Sequence, residues 1–242
     1  MAAYTLLFIM NPACKTAIVA VIPCLNEEQF IGDVVTKALK HVDRVFVIDD
    51  GSSDSTADVA RSAGADVIRH EKRRGAGAAT RTGFLAALKA GADIVVTLDG
   101  DGQHDAAEIP NLIKPLLEGE ADLAIGSRFV SPSTNMPPYR NLGIDIITWL
   151  YNIGSKTRIT DSQSCFRSHS RKLLERIAIT RADFGFSIEV LVKARKNGLK
   201  IVEVPASCLY HAQGSTMNPI IHGLSVAWSV IQLRTAIELF SA

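Results

Sequence analysis

The sequence predicts an α/β fold, a doubly wound, mostly parallel sheet flanked by helices, with a C-terminal elaboration of the same domain. Three observations point there. Short runs rich in valine and isoleucine recur at 17–23, 44–49, 66–68, 93–99 and 122–127. Several are apolar on both faces, which suits strands covered by helices on each side. Helix-like stretches lie between them, so the β-α-β rhythm implies right-handed crossovers and an open sheet whose ligands sit beyond the carboxyl ends of the strands.

Each element has its own signal. Residues 1–15 read as a tail: the apolar run 4–10 has no Lys or Arg before it, and Lys15 follows too soon for a membrane span of ~20 residues. After the first strand, Asn26 or Glu27 opens a helix toward residue 40, and Ser53 or Asp54 caps a second that Gly64 stops. A third runs from Ala76 to Ala90 ahead of Gly91, and Asp105 caps a fourth that reaches Glu118 ahead of Gly119. Pro, Ser and Asn then make 129–140 a loop. A helix from about Leu142 to Lys156 follows, then mixed elements, a helix near Ser187 to Lys196 and a strand at 200–205. No linker-like shift divides the chain, so 16–218 is expected to be one domain. Residues 219–242 are expected to form an amphipathic helix, packed on that domain or lying on a lipid surface.

Composition narrows the function. At 242 residues, 47% hydrophobic and 21% charged, the chain is long enough for one large core. Its 26 Lys and Arg balance 25 Asp and Glu, so no global field favours a nucleic-acid partner. Cys14, Cys24, Cys165 and Cys208 stand singly, without zinc-type pairing or the density of a disulfide scaffold. A reducing, cytoplasmic setting fits them.

The chemistry-bearing residues follow the strands. Strand two ends in Asp49-Asp50-Gly51-Ser52-Ser53-Asp54, and strand four in Asp99-Gly100-Asp101-Gly102-Gln103-His104. In a parallel sheet these ends are neighbours, so Asp50 should face a crevice shared with Asp99 and Asp101. Hard oxygen ligands at i and i+2, with an amide at i+4, suit Mg²⁺ or Mn²⁺ that also grips phosphate. Asp49, Asp54 and Asp105 read instead as caps. The loop Arg73-Arg74-Gly75-Ala76-Gly77 precedes a helix and offers amides and positive charge to an anion. Neither a P-loop nor a dinucleotide fingerprint is present.

VIPCLNEE, IDDGSSD, RRGAGAA, LDGDGQH and GSRF, in this order and spacing, resemble the glycosyltransferase family 2 enzymes of the GT-A fold, especially the dolichyl- or polyprenyl-phosphate sugar synthases. DSQSCFR at 161–167 and YHAQGS at 210–215 also look like that subgroup. The resemblance implies that Pro23, Glu27 and Asp50, with Gly77, bind the donor. It implies that Asp99, Asp101 and Gln103 engage a divalent metal and the donor diphosphate, Asp101 being catalytic. Arg128 and Arg140 would receive the acceptor phosphate. Cys165 stands where the subgroup more often has glycine. His211 stands where the mannose synthases carry arginine; it is a donor-side contact, an added metal ligand or a surface histidine.

The implied reaction is inverting transfer of a hexose or N-acetylhexosamine from a nucleoside diphosphate to a polyprenyl monophosphate. That phosphate is already largely dianionic, so no base is required; Asp161 is the candidate if one is used, its other reading being a loop cap. Leu142, Ile146, Ile147, Trp149, Leu150 and Ile153, preceded by Met136, Pro137 and Pro138 and joined by Trp228, offer an interfacial surface. The expected location is therefore peripheral, at the cytoplasmic face of a membrane. A polysaccharide or other soluble hydroxyl acceptor, and a non-catalytic nucleotide-sugar-binding module, are the rival readings.

Overall fold

The computed structural model describes residues 15–130, 138–155, 157–209 and Gln232. Seven strands form one sheet in the order β3-β2-β1-β4-β6-β5-β7. β1 (Ile18–Cys24), β2 (Arg44–Asp49), β3 (Asp66–Arg69), β4 (Ile94–Thr97), β5 (Leu123–Ser127) and β7 (Ile201–Pro205) share one direction, while β6 (Arg167–Ser170) runs antiparallel between β4 and β5. Alternation along β1 divides the core as the both-face pattern requires. Val19 and Val21 enter one apolar layer, Ala20, Ile22 and Cys24 the other. β1 sits between β2 and β4, with Val21 opposite both Phe46 and Thr97, so the loops after these three strands meet at one edge.

Helices α1 (Ile31–Ala38), α2 (Thr56–Ser62), α3 (Ala76–Lys89), α4 (Ile109–Leu117), α5 (Pro138–Asn152), α6 (Arg171–Arg176) and α7 (Phe186–Lys196) complete the fold. α3 lies so close to the sheet that a Cβ on Gly83 would fall 2.2 Å from Val21. The helix starts differ from expectation for local reasons. α1 begins at Ile31 rather than at Asn26 or Glu27, because Asn26 adopts a left-handed φ of 57° and the next residues form turns. α2 begins at Thr56, with Asp54 accepting the Thr56 amide at 3.0 Å. The Asp105 carboxylate does cap its segment, accepting from the Ala107 amide, but a 3₁₀ turn precedes α4. α5 starts at Pro138, inside the expected loop, and ends at Asn152.

β6 is the main element the sequence reading left unresolved among mixed structure. Its RSHS sequence shows no apolar alternation. The strand is buried because its polar groups find main-chain partners. Ser168 Oγ donates to the Leu112 carbonyl at 2.8 Å, and His169 Nδ1 pairs with the Val95 carbonyl at 3.2 Å. Arg167 donates to the Ser162, Ser164 and Ser187 carbonyls at 2.7–2.8 Å. The expected tail 1–15 and helix 219–242 lie, apart from Lys15 and Gln232, outside the described residues.

Candidate active site

The loops after β1 and β2 are tied to each other by side chains reaching main-chain groups. Asn26 Oδ1 accepts from the Ser53 amide, Ser52 Oγ from the Asn26 amide, and Thr56 Oγ1 from the Glu27 amide at 2.7 Å. Glu28 returns a bond to the Ser55 amide. Glu27 is thereby held half-buried beside Asp101. Burial first, then the charges of Asp101 and Asp54, push its carboxyl up to about 7.

Asp49 and Asp54 have the turn-holding roles expected of them, accepting from the Ser52 and Thr56 amides. Asp50 is buried, and its carboxylate is occupied within the protein. Oδ1 accepts from the Arg74 amide at 2.9 Å and meets His70 Nδ1 at 2.7 Å; Oδ2 accepts from the Gly75 amide at 2.7 Å. His70 Nε2 in turn meets Thr82 Oγ1 at 3.0 Å. Asp50 therefore anchors the 73–75 loop. Gly77 likewise differs from an open anion cradle, since its amide donates to the Ala182 carbonyl at 2.9 Å. A Cβ there would fall 2.4 Å from the Arg181 carbonyl, and one on Gly75, whose φ is +99°, 2.4 Å from that of Ala182. The glycines let a strap at 181–183 lie across the start of α3.

Beyond β4, Asp99 and Asp101 stand with Glu27 in one acidic group. Burial, then the charge of Asp101, push Asp99 up to about 7, Arg128 pulls it back, and Glu27 adds to the rise. Gln103 braces Asp101 twice, its amide reaching Oδ1 at 3.0 Å and Nε2 reaching Oδ2 at 2.7 Å. Its carbonyl accepts from the Leu209 amide at 2.8 Å, which docks the chain after β7 on this loop. Gly100 is required because a Cβ would meet Cys24 Sγ at 2.4 Å, and Gly102 has a φ of +73°. His104 stacks on Phe166 with ring centres 5.3 Å apart, and its burial pushes it down to about 4. Pro23 borders a cavity beside Asp99.

Across this edge, Arg128 and Asp161 form a two-pronged ion pair, Nε to Oδ2 at 2.7 Å and Nη2 to Oδ1 at 2.8 Å. Asp161 also accepts from the amides of Arg128, Gln163 and Ser164. Burial opposes ionisation there, but Arg128 and the amides outweigh it and hold the carboxyl below its usual range. Asp161 thus ties Arg128 to the turn at 161–164. Arg140 falls in the first turn of α5, with its side chain outside the described part, and His211 lies outside the described residues.

Sequence reasoning missed His70 and Glu203. Glu203 on β7 accepts from the amides of Thr160 and Asp161 at 2.7 and 2.8 Å and from the Thr160 hydroxyl. Both residues are single polar positions far in sequence from the groups they hold, so no spacing signals them.

Among the described residues no three His, Cys, Asp or Glu side chains are placed to hold a metal ion. Asp99, Asp101 and Gln103 nevertheless offer, within one loop, oxygen donors of the kind a hard divalent cation takes.

Residues 19–181 match the glycosyl transferase family 2 domain. The chain is 34% identical over 241 residues to a UDP-N-acetylglucosamine--dolichyl-phosphate N-acetylglucosaminyltransferase of Methanococcus voltae, covering 88% of this chain and 94% of that protein. It is 32% identical over 213 residues to a polyprenol monophosphomannose synthase of Mycolicibacterium smegmatis, covering 81% and 78%. Its fold resembles glucosyl-3-phosphoglycerate synthase of Mycobacterium tuberculosis, crystallised with Mn²⁺, UDP and phosphoglyceric acid, at a TM-score of 0.71 and 22% identity over 92% of this chain and 78% of that one. The same enzyme crystallised with Mg²⁺ and UDP gives a TM-score of 0.68 at 22% identity, over 90% and 79%. These neighbours share the GT-A architecture. With the family domain spanning β1 to the strap on α3, and the acidic loops where the sheet order places them, the chain belongs to glycosyl transferase family 2 and is a glycosyltransferase.

Proposed function

We propose that the protein transfers a hexose or N-acetylhexosamine, with inversion, from a nucleoside diphosphate to a polyprenyl monophosphate. The observation that carries this reading is the juxtaposition at one sheet edge of crowded carboxylates, Glu27, Asp99 and Asp101, with the prearranged cation of Arg128. The two named relatives act on lipid phosphates. Pro23 and Glu27 border the donor, and Asp50 holds the 73–75 loop that closes around it. Asp99, Asp101 and Gln103 are the residues that would hold a Mg²⁺ or Mn²⁺ ion. When bound, that ion supplies positive charge to the departing diphosphate.

The protein's own work is positioning. Asp161 keeps the Arg128 fork in one orientation, and Arg128 with Arg140 receives the incoming phosphate anion and screens it from the acidic loop. The nucleophile is that anion, so inversion follows from attack opposite the leaving diphosphate without a protein base. His211 is assigned to the donor side.

We also propose that residues 16–218 form the transferase domain with 219–242 packed on it, and that the enzyme works peripherally at the cytoplasmic face of a membrane. Leu142, Ile146 and Trp149 recur along one face of α5, Ile153 follows its end, and all four are exposed, Trp149 to 65%, in keeping with an interfacial helix, whereas Ile147 and Leu150 pack on the core. No helix among the described residues is long and apolar enough to cross a membrane.

The test is incubation of sugar-labelled UDP and GDP donors with vesicles containing polyprenyl phosphate, with Mn²⁺ or with chelator. Chelator-sensitive label in the lipid fraction is expected. Label found only in a soluble glycoside would overturn the acceptor assignment.

A further inference from the structure

An open pocket of about 610 Å³ lies against the second half of α5, apart from the acidic loops. Helical spacing brings Asp145, Thr148, Trp149 and Asn152 to it, and the turn after α5 closes its other side with Arg158 and Ile159. Its volume is that of a small-molecule site.

Most of its polar side chains are already engaged. Thr148 Oγ1 pairs with Ser162 Oγ at 2.8 Å, and Asn152 donates to the Ile159 carbonyl at 2.7 Å and accepts from the Ile159 amide at 3.1 Å. Ser155 donates to the Thr157 carbonyl and Thr160 to the Glu203 carboxylate. Asp145 and Arg158 are the exceptions: both are exposed, and neither has an ion-pair or hydrogen-bond partner among the described residues. Opposite charges thus share one pocket without pairing with each other.

A ligand that carries both signs would meet both groups, phosphate at the Arg158 guanidinium and ammonium at the Asp145 carboxylate. A hydrocarbon chain would strip water from the two charges and return nothing, and a plain anion would face repulsion from Asp145. The pocket also shares Trp149 and Ile153 with the exposed stripe that includes Leu142 and Ile146, so its ligand approaches from the surface an interfacial helix presents.

We propose that this pocket takes the headgroup of a zwitterionic membrane phospholipid of the ethanolamine type, distinct from the acceptor lipid. The inference rests on the peripheral-membrane reading above and gives that surface a headgroup preference. Asp145 is the discriminating residue, because a primary ammonium donates hydrogen bonds to a carboxylate and a quaternary one has none to donate.

Sedimentation of the full chain with vesicles of phosphatidylcholine, alone or mixed with phosphatidylethanolamine, tests it without donor or acceptor. The mixed vesicles are expected to bind about fivefold more tightly, the upper end for one partly exposed ion pair. Asp145→Asn should abolish that preference and leave phosphatidylcholine binding almost unchanged, while Arg158→Gln should weaken binding to the mixed vesicles by a similar factor. Thermal unfolding checks that each variant folds, and the wild-type comparison stands without them. A preference that survives Asp145→Asn reflects bilayer packing and overturns the site. Equal binding of both vesicle types by the wild type, or an Arg158→Gln defect confined to vesicles carrying polyprenyl phosphate, also overturns it and leaves membrane association standing. No binding to any vesicle overturns the peripheral reading with it.

Discussion

In the loops after β1 and β4, Glu27, Asp99 and Asp101 crowd like charges together, and two of the three carboxyls are pushed up to about 7. Across the same edge, beside Arg128, Asp161 is more deeply buried, yet its carboxyl is held low because a guanidinium fork and three amides meet it. Burial acts in the same direction on both sides; the counter-charge decides the outcome. The contrast teaches that one half of the site concentrates negative charge, while the other balances its own.

Breaking the satisfied half should have the largest effect on stability. Arg128→Ala strands the Asp161 charge in the interior, and loss of one partner of a buried pair costs about 3–5 kcal/mol. Urea denaturation should show this as a lower midpoint with an unchanged slope. A loss under 1 kcal/mol would mean that Asp161 finds another partner.

The crowded half should behave in the opposite way. Asp101→Asn removes one of the mutually repelling charges, so unfolding stability should hold or rise. Transfer should nevertheless fall by roughly 10²–10³-fold, the scale seen when a preorganised charge partner of a transition state is removed. Parallel loss of stability and activity would contradict the comparison.

The sheet beneath both halves supplies a pH signal of its own. Burial pushes His169 down to about 3, so below its ordinary value of ~6.5 the unfolded chain binds a proton that the folded chain does not. Its contribution is therefore fully present above ~6.5 and is lost as pH falls toward 3, by at most ~1.4 kcal/mol per pH unit. A His169→Phe variant should flatten that part of the stability curve.

The smallest expected effect lies in the support of the satisfied half. Glu203→Gln keeps the shape but weakens the bonds to Thr160 and Asp161, by about 1 kcal/mol. It should raise the KM for the lipid phosphate more than it lowers kcat, because Arg128 would be less well held. Equal changes with donor and acceptor would deny Glu203 that positioning role.

The placement of the acidic loops was legible because their residues follow strands. Hydrophobic runs located β1, β2 and β4, and topology then required Asp99 and Asp101 to lie near the loop after β2. Individual roles were less legible. Nothing in IDDGSSD or RRGAGAA shows that Asp50 binds the Arg74 and Gly75 amides, or that Gly77 makes room for a strap more than a hundred residues away. β6 escaped detection because periodicity registers apolar burial, whereas Arg167, Ser168 and His169 are buried through hydrogen bonds to carbonyls. Glu203 escaped because the Thr160 and Asp161 amides it accepts from lie about forty residues earlier in the chain.

That antiparallel strand also affects how the chain can be made. β5 is complete at Ser127, but the strand that joins it to β4 begins only at Arg167, about 40 residues later, or roughly 2–8 s at ~5–20 residues per second on the ribosome. During that interval β4 has an open edge and β5 lacks the neighbour that attaches it to the sheet. Nascent chains and truncations that stop short of residue 167 should accordingly be the forms most prone to edge-to-edge association.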